Sequence, residues 1–551
     1  MSEPISPNIP PATVESLDLH VRSYRSALTS THEITINSLT NSHLKMEPIL
    51  HQYGNDPNKI DISAIVYSAL RLPEEIDLIQ KVIAAPTPDV FSSAGFEDVH
   101  LWPNVKAPAR RRKYHFEESK KLLACFIISI SDIDDLVNLL IAFQVEWNKL
   151  HTLLKTNTID QILTPEEISN LSKAFGSHYE KRISRVKDHL LDLRIQLLAG
   201  SWVDYCKATQ KWWRSISKVT DKSLRLSKRS VYFVSSNTHS LVNIISGFAL
   251  KEKESILEFI KNEKPDLYQV YESIKSGENN LPENDFLYFV SKFYADNPKH
   301  KDTKKTLEEK INLTTIPSSK ALDINTQIIS IKDIANSNHL DPRLKITNSN
   351  KLNSSDALIF NIDYPLGFAA YHILSEIMEN VREIKGVYVM GKAAVLNSEI
   401  GDIQIPRLVY DEHTSNSYIF RNCFNTFFPF VNNQGSILTN QKAVSVLGTY
   451  IENEALIKKY SEDNLTVIEM ESGPYLEAIS EATFDHRHTT DETVDLSTAP
   501  FDIGIIDYTS DTPYSKAKNM GVKTLTLDGL EPTYLASLAI LQRIINLEES
   551  H

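Results

Sequence analysis

"TVIEMESGPYLEAI", residues 466–479, sets two apolar side chains, Val467 and Ile468, directly before two carboxylates, Glu469 and Glu471, with Met470 between them. A helix-like run follows. The order reads as a buried strand that ends on acid and turns into a helix, which is the repeating junction of an α/β unit. Taken alone, a Glu-x-Glu at a strand end is an ordinary solvated edge, so its meaning depends on its neighbours.

Those neighbours share the same rhythm. "NTQIISI", "DALIFNI", "GVYVMG", "GDIQIPRLVY", "GSILTN" and "FDIGIIDYT" are short apolar or β-branched runs, several of them separated by helical stretches. In "AAYHILSEIMENV", Ala370, Ile373, Leu374, Ile377 and Val381 fall on one helical face. The alternation predicts an α/β domain over residues 321–551, with a mixed, largely parallel central sheet flanked by helices.

The period differs upstream. Ile133, Leu136, Leu140, Phe143, Trp147, Leu150 and Leu154 recur at alternating steps of three and four. After a break at Thr164-Pro165, a cap and a first-turn proline, the pattern resumes at Ile168, Leu171, Phe175, Tyr179, Ile183, Val186, Leu190, Leu193 and Leu197. This predicts a mainly α-helical domain over 56–300 built on long antiparallel helices, preceded by a polar arm at 1–55. Residues 301–320 are expected to form a linker, with proteolysis starting across 297–320.

Bulk composition narrows the function classes. The 551 residues are 41% apolar and 23% charged, as in globular multidomain proteins. A net charge of −13 argues against nucleic acid as an obligatory partner of the whole chain. Three cysteines, Cys125, Cys206 and Cys423, make neither a zinc spacing nor a disulfide framework and suit a reducing cytoplasm. The most apolar stretch, residues 122–144, is interrupted by Asp132, Asp134 and Asp135, so no membrane span is expected.

Four features follow one another in the C-terminal part. Gly367 in "YPLGFAAYHIL" opens a helix whose free N–H groups suit an anion. "GVYVMGKAAVLNSEIGDIQIP" gives a strand, a small-residue turn at Gly391-Lys392-Ala393, then Gly401-Asp402 and another strand. The Glu469-Met470-Glu471 segment comes third, and a strand ending on Ser510-Asp511 closes the series. Together they resemble the purine nucleoside phosphorylase and nucleosidase superfamily, over roughly residues 320–551.

The resemblance implies cleavage of the N-glycosidic bond of a purine nucleoside or nucleotide. It implies that Glu471 accepts hydrogen bonds from two ribose hydroxyls, as an acceptor-only carboxylate suits a diol. Met470 would floor the sugar, and Glu469 would lie close by. Asp511, oriented by Ser510, would protonate the departing base. No cofactor is implied beyond inorganic phosphate as a possible co-substrate. Lys392 departs from the family's Ser or Thr, and Ala394 from its glycine. Lys392 can bind an anion as a point charge, or fill that site and leave water as the nucleophile.

Other segments carry weaker signals. The aromatic run 410–433, including Tyr418, Phe420, Phe424, Phe427, Phe428 and Phe430, can stack on a base or fill a core or subunit interface. His486 and His488 are read as exposed loop residues rather than metal ligands. Two basic patches, Arg110–Lys113 and Lys207–Arg229 with Trp212 and Trp213, can contact phosphate backbones but read first as charged faces. The heptad seam suits packing or homo-oligomerisation. The alternative to an enzyme is a nucleoside-binding regulatory or scaffold protein.

Overall fold

Asp132 reaches back to accept the N–H groups of Ile128 and Ser129, at 2.8 and 3.3 Å, and so starts the helix Ile130–Leu153. The apolar seam read from the sequence is buried, but so are the acids that interrupt it. Arg25 holds Asp134 at 2.5 Å and Arg112 holds Asp132 at 2.8 Å. Asp135 accepts from Arg110 and Arg112 at 2.7 and 3.0 Å. From Ser131 to Gln144 the helix is therefore enclosed on all sides, which a charged helix tolerates only when each charge is paired.

The computed structural model describes residues 11–31, 33–110, 112–318, 322–337, 339–426, 428–433, 435–484, 488–512 and 527–550. The strands fall into two sheets. The first contains β1 (Glu33–Thr35), β2 (Lys81–Ala85), β3 (Asn104–Val105), β4 (Tyr114–Glu117), β5 (Leu122–Phe126) and β6 (Arg194–Leu197), in the order β1-β6-β2-β5-β4-β3. Val82, Leu123 and Ile195 of this sheet share one core with the Ile130–Leu153 helix.

Helices make up most of residues 56–300, but a six-stranded sheet that the helical pattern does not predict makes the N-terminal half an α/β unit. Its strands are short, and β2, β4 and β5 are almost wholly buried, so they lack the alternation that marks a half-exposed strand. The second long helix also differs from its pattern. Pro165–Phe175 begins as read, with the Thr164 hydroxyl accepting the Glu167 N–H at 3.3 Å. It stops at Gly176, which takes φ +63°, and resumes as Tyr179–Asp188. The leucines beyond are extended: Leu191 and Leu193 donate their N–H groups to Asn148 Oδ1 and Gln144 Oε1, at 2.8 and 2.6 Å. Residues within the expected N-terminal arm are also integrated. The helix Pro11–Thr31 places the Tyr24 hydroxyl 2.7 Å from Asp134.

The second sheet contains β7 (Ser230–Ser236), β8 (Thr314–Ile316), β9 (Thr326–Ser330), β10 (Leu358–Asp363), β11 (Glu383–Val395), β12 (Ile403–Asp411), β13 (Asn416–Ile419), β14 (Ile437–Ser445), β15 (Val467–Glu469), β16 (Thr493–Asp495) and β17 (Asp502–Asp511). It is mixed rather than largely parallel. The parallel pairings β7–β10, β7–β11, β11–β17, β12–β14, β14–β15 and β13–β16 barely outnumber the antiparallel β8–β9, β9–β10, β11–β15, β12–β13 and β12–β17. The pairings β11–β15–β14–β12–β17–β11 close a ring, so those strands have no free edge between them.

β7 lies at the centre of this sheet, between β10 and β11, although its residues precede the expected linker by some distance along the chain. Within the linker range, Pro298–Lys310 is helical and β8 pairs with β9. A fragment beginning at residue 321 would lose β7 and expose both neighbours. It should lack a cooperative thermal transition by circular dichroism, whereas a fragment beginning at residue 200 should melt cooperatively. A cooperative melt of the shorter fragment would show that β7 is dispensable.

Candidate functional site

The Glu469 carboxylate ties the end of β15 to the helix that follows. Its Oε2 accepts the N–H groups of Glu471 and Ser472 at 2.6 and 2.7 Å, at the start of the helix Ser472–Thr483. Its Oε1 accepts the hydroxyl of Ser445, the residue beside it in the β14–β15 ladder. Ser445 Oγ in turn accepts the Gly473 N–H at 2.7 Å. Glu469 therefore acts as a helix-start acceptor, which leaves Met470 and Glu471 to face outward from the turn.

β17 delivers the other end of the site. Its register against β11 runs Ala393 to Thr509, then Ala394 to Asp511, so Ser510 is the extra residue of a bulge. Successive strand residues ordinarily face opposite ways. The bulge breaks that alternation, and Ser510 and Asp511 both reach one cavity. Ser510 Oγ donates to Asp511 Oδ2 at 2.9 Å.

That cavity has a volume of about 480 Å³ and lies between the two sheets. Glu469, Met470, Glu471, Gly391, Lys392, Ser510 and Asp511, all read from the sequence, line it. Ala393 does not: it is buried, and Ala394 lines the wall instead. The N-terminal unit supplies the opposite wall, including Tyr67, Arg71, Arg110, Arg112 and Lys113. Arg110 and Arg112, weighed above as a nucleic-acid patch, thus point into an internal site; Arg111 lies outside the described residues.

Gly367 also lies off the cavity lining, and its neighbourhood is occupied from within the chain. Its N–H donates to Glu471 Oε1 at 3.1 Å. The Phe368 N–H donates to Ser131 Oγ at 2.9 Å, and those of Ala369 and Ala370 turn back to Leu366 and Gly367 carbonyls. The N–H groups expected to hold an anion are therefore taken. Ser131 also lies 3.2 Å from His413 Nε2, whose Nδ1 is 2.8 Å from Asp411. This has the connectivity of a hydrolytic triad, but Ser131 is fully buried and does not line the cavity. It is a packing link between the two units.

The electrostatics centre on Glu471. Burial, and then the charge of Glu469, push its carboxyl up to about 7, against the Gly367 N–H and Arg110, which pull it down. His413 is raised: burial opposes its charging, and Asp411, Asp134 and Glu412 together more than offset that. Asp507 was not singled out in the sequence. It sits on β17 opposite Gly391, where a Cβ would lie 2.4 Å from Asp507 Oδ1. Burial, then Glu469 and Glu471, drive its carboxyl well above the usual range. An acid among apolar residues in "IGIIDY" was its only sequence signal.

Other readings resolve into packing. Phe424 stacks near Tyr388 and Phe428, and Tyr418 and Phe420 lie in the core, so the described aromatics of 410–433 do not reach the cavity. Phe427 falls outside the described residues. Trp212 and Trp213 pack against Phe360. His488 lies 3.0 Å from Glu492, and His486 is outside the described residues. Among the described residues no group of three or more His, Cys, Asp or Glu side chains is arranged to hold a metal ion, and no helix is long and apolar enough to cross a membrane.

A family described as a family of unknown function, DUF6909, matches residues 36–546. The chain belongs to that family. No curated protein sequence matches it. Among solved structures it is similar to the S-adenosylhomocysteine nucleosidase of Streptococcus pyogenes, at 11% identity over 44% of this chain and 93% of that one, with a TM-score of 0.28. It is similar to the uridine phosphorylase of Schistosoma mansoni at 9% identity over 61% of this chain and 91% of that one, with a TM-score of 0.30. Likeness at this level leaves any functional reading of this family member to rest on the cavity's own residues.

Two outcomes follow for the site. Gly367 takes φ +51°, and a Cβ there would lie 2.4 Å from Ser131 Oγ. Gly367→Ala should cost about 1–3 kcal/mol in denaturant unfolding from backbone strain alone, and Ser131→Ala about 1–3 kcal/mol from the orphaned Phe368 N–H. The second outcome concerns pH. Glu471 rises from 4.5 unfolded to about 7 folded, so the folded chain keeps a proton that the unfolded chain releases. Its contribution to stability is complete below 4.5 and lost as pH rises through 7. Glu471→Gln should flatten the fall in melting temperature across that window.

Proposed function

We propose that the chain hydrolyses the N-glycosidic bond of a purine nucleoside or nucleotide, with residues 321–551 and β7 forming a nucleoside phosphorylase-like fold. The observation that carries this reading is the convergence of two separate strand ends, Met470-Glu471 after β15 and Ser510-Asp511 on β17, on one 480 Å³ cavity. That volume suits a small ligand.

In this reading the ribose lies over Met470, and the Glu471 carboxylate accepts its two hydroxyls. The base lies toward Asp511. As the C1′–N bond breaks, its electron pair leaves with the base and Asp511 delivers a proton to the ring. The sugar becomes cation-like and is stabilised by the nearby carboxylate. Water then bonds to C1′, and the proton it gives up returns the Asp511 carboxylate to its acid form. Water is favoured over phosphate because the N–H groups at the Gly367 turn already serve Glu471 and Ser131.

Asp511→Asn keeps shape but delivers no proton. It should bind substrate yet lose roughly 100- to 10,000-fold in turnover, measured as free base released. Glu471→Gln should raise KM as well. Wild-type binding should tighten as pH rises through the Glu471 value of about 7, since only the carboxylate accepts both hydroxyls. Base release should proceed without added phosphate. An Asp511→Asn variant with wild-type turnover would remove the assignment of the acid, and an absolute phosphate requirement would remove water as the nucleophile.

A further inference from the structure

The wall contributed by the N-terminal unit has no role in the chemistry above. It presents Arg71, Arg110, Arg112 and Lys113 to the cavity. Arg112 is committed: it bonds Asp132, Asp135 and the Tyr114 hydroxyl, the last at 3.2 Å. Arg110 is committed only at one end. One terminal nitrogen holds Asp135 at 2.7 Å, while its buried Nε has no hydrogen-bond partner among the described residues. Arg71 stacks on Tyr67, 3.5 Å from the ring centroid, and its Nε lies buried close to Arg110. Asp132 and Asp135 offset part of this charge, with Asp135 shared between Arg110 and Arg112, and gathered like charges in a partly enclosed space favour a further anion.

The position of this charge matters. Arg110 is near enough to Glu471 to favour its ionised form. If Glu471 holds the ribose hydroxyls, Arg110 stands on the sugar side of the cavity, away from the base end at Asp511. The guanidinium fork is the side chain best suited to phosphate oxygens.

Resting on the hydrolytic reading above, we propose that Arg110 and Arg71 form a subsite for the 5′-phosphate of the substrate, so that the chain acts on nucleoside 5′-monophosphates in preference to nucleosides. The N-terminal α/β unit then supplies the part of the pocket that reads the phosphate. Free inorganic phosphate carries the same chemistry and should compete for this subsite rather than support the reaction.

The test uses the full-length chain with AMP, GMP and IMP against their nucleosides, measuring binding by calorimetry and base release separately. Monophosphates should be favoured roughly 10- to 100-fold in kcat/KM, the range of one or two charge-assisted hydrogen bonds. Arg110→Gln should collapse that ratio, and Arg110→Lys should restore part of it. Arg71→Gln gives a second probe that leaves the Arg110–Asp135 pair intact if Arg110 variants fail to fold. Inorganic phosphate should inhibit competitively.

Monophosphates that bind through Arg110 without base release would support the subsite and defeat the hydrolytic reading. Nucleosides cleaved as well as monophosphates, with a ratio unmoved by either arginine variant, would overturn the subsite and leave that reading standing. Activation by inorganic phosphate, or no preferential binding of any monophosphate, would also overturn it.

Discussion

Ser131 Oγ, in the first turn of the Ile130–Leu153 helix, accepts the Phe368 N–H at the turn before Ala369–Asn380. The neighbouring Gly367 N–H goes to Glu471. This small buried junction joins the two α/β units behind Glu471, off the cavity lining. It requires the left-handed backbone of Gly367 and leaves no room there for a side chain. Through it the N-terminal helix brings Asp132 and Asp135, and with them Arg110 and Arg112, to the wall opposite Glu471. Tyr67 bonded to Thr449, and Ser68 and the Ala64 carbonyl bonded to the Tyr450 hydroxyl, hold the same two units together alongside this junction.

The acidic side of the cavity follows a different rule. Glu469, Glu471 and Asp507 are near enough to raise one another's pKa, and charging all three together would be costly. Their environments separate them. Glu469 is bound to helix N–H groups and the Ser445 hydroxyl, Asp507 is sealed over Gly391 with its carboxyl pushed well above the usual range, and Glu471 is pushed up to about 7. Burial does most of this, so the same element packing that forms the sheet also assigns the protonation states. In the proposed reaction, that leaves Glu471 as the carboxylate able to meet a sugar.

Much of the site was legible in the linear chain. Glu469-Met470-Glu471 and Ser510-Asp511 could be read because each follows a short apolar run that can only be a buried strand, and strand ends are where such sheets keep their ligand sites. The first unit was harder. Its inner strands β2, β4 and β5 are buried and lack alternation, its other strands are only two to four residues long, and the leucines from 190 to 197 continue a helical spacing by coincidence. Gly176, the side chains of Gln144 and Asn148, which capture the N–H groups of Leu193 and Leu191, and pairing with β1 and β2 turn that segment extended. Arg110 looked like surface charge because nothing local says that Asp135, twenty-five residues on, will bury it.

By itself, then, the amino-acid order determined the α/β character of the C-terminal half and the two acidic strand ends, since both are local consequences of apolar period and chain direction. Tertiary structure alone decided which residues share a cavity. The register of β17 on β11 sets Asp507 over Gly391 and bulges at Ser510 so that Asp511 faces inward. The insertion of β7 between β10 and β11 makes the second sheet continuous across the expected linker. The arginine wall comes from a unit folded around a different core. Each of these depends on pairings between residues far apart in the chain, whose energy comes from burial and hydrogen bonds that no local pattern encodes.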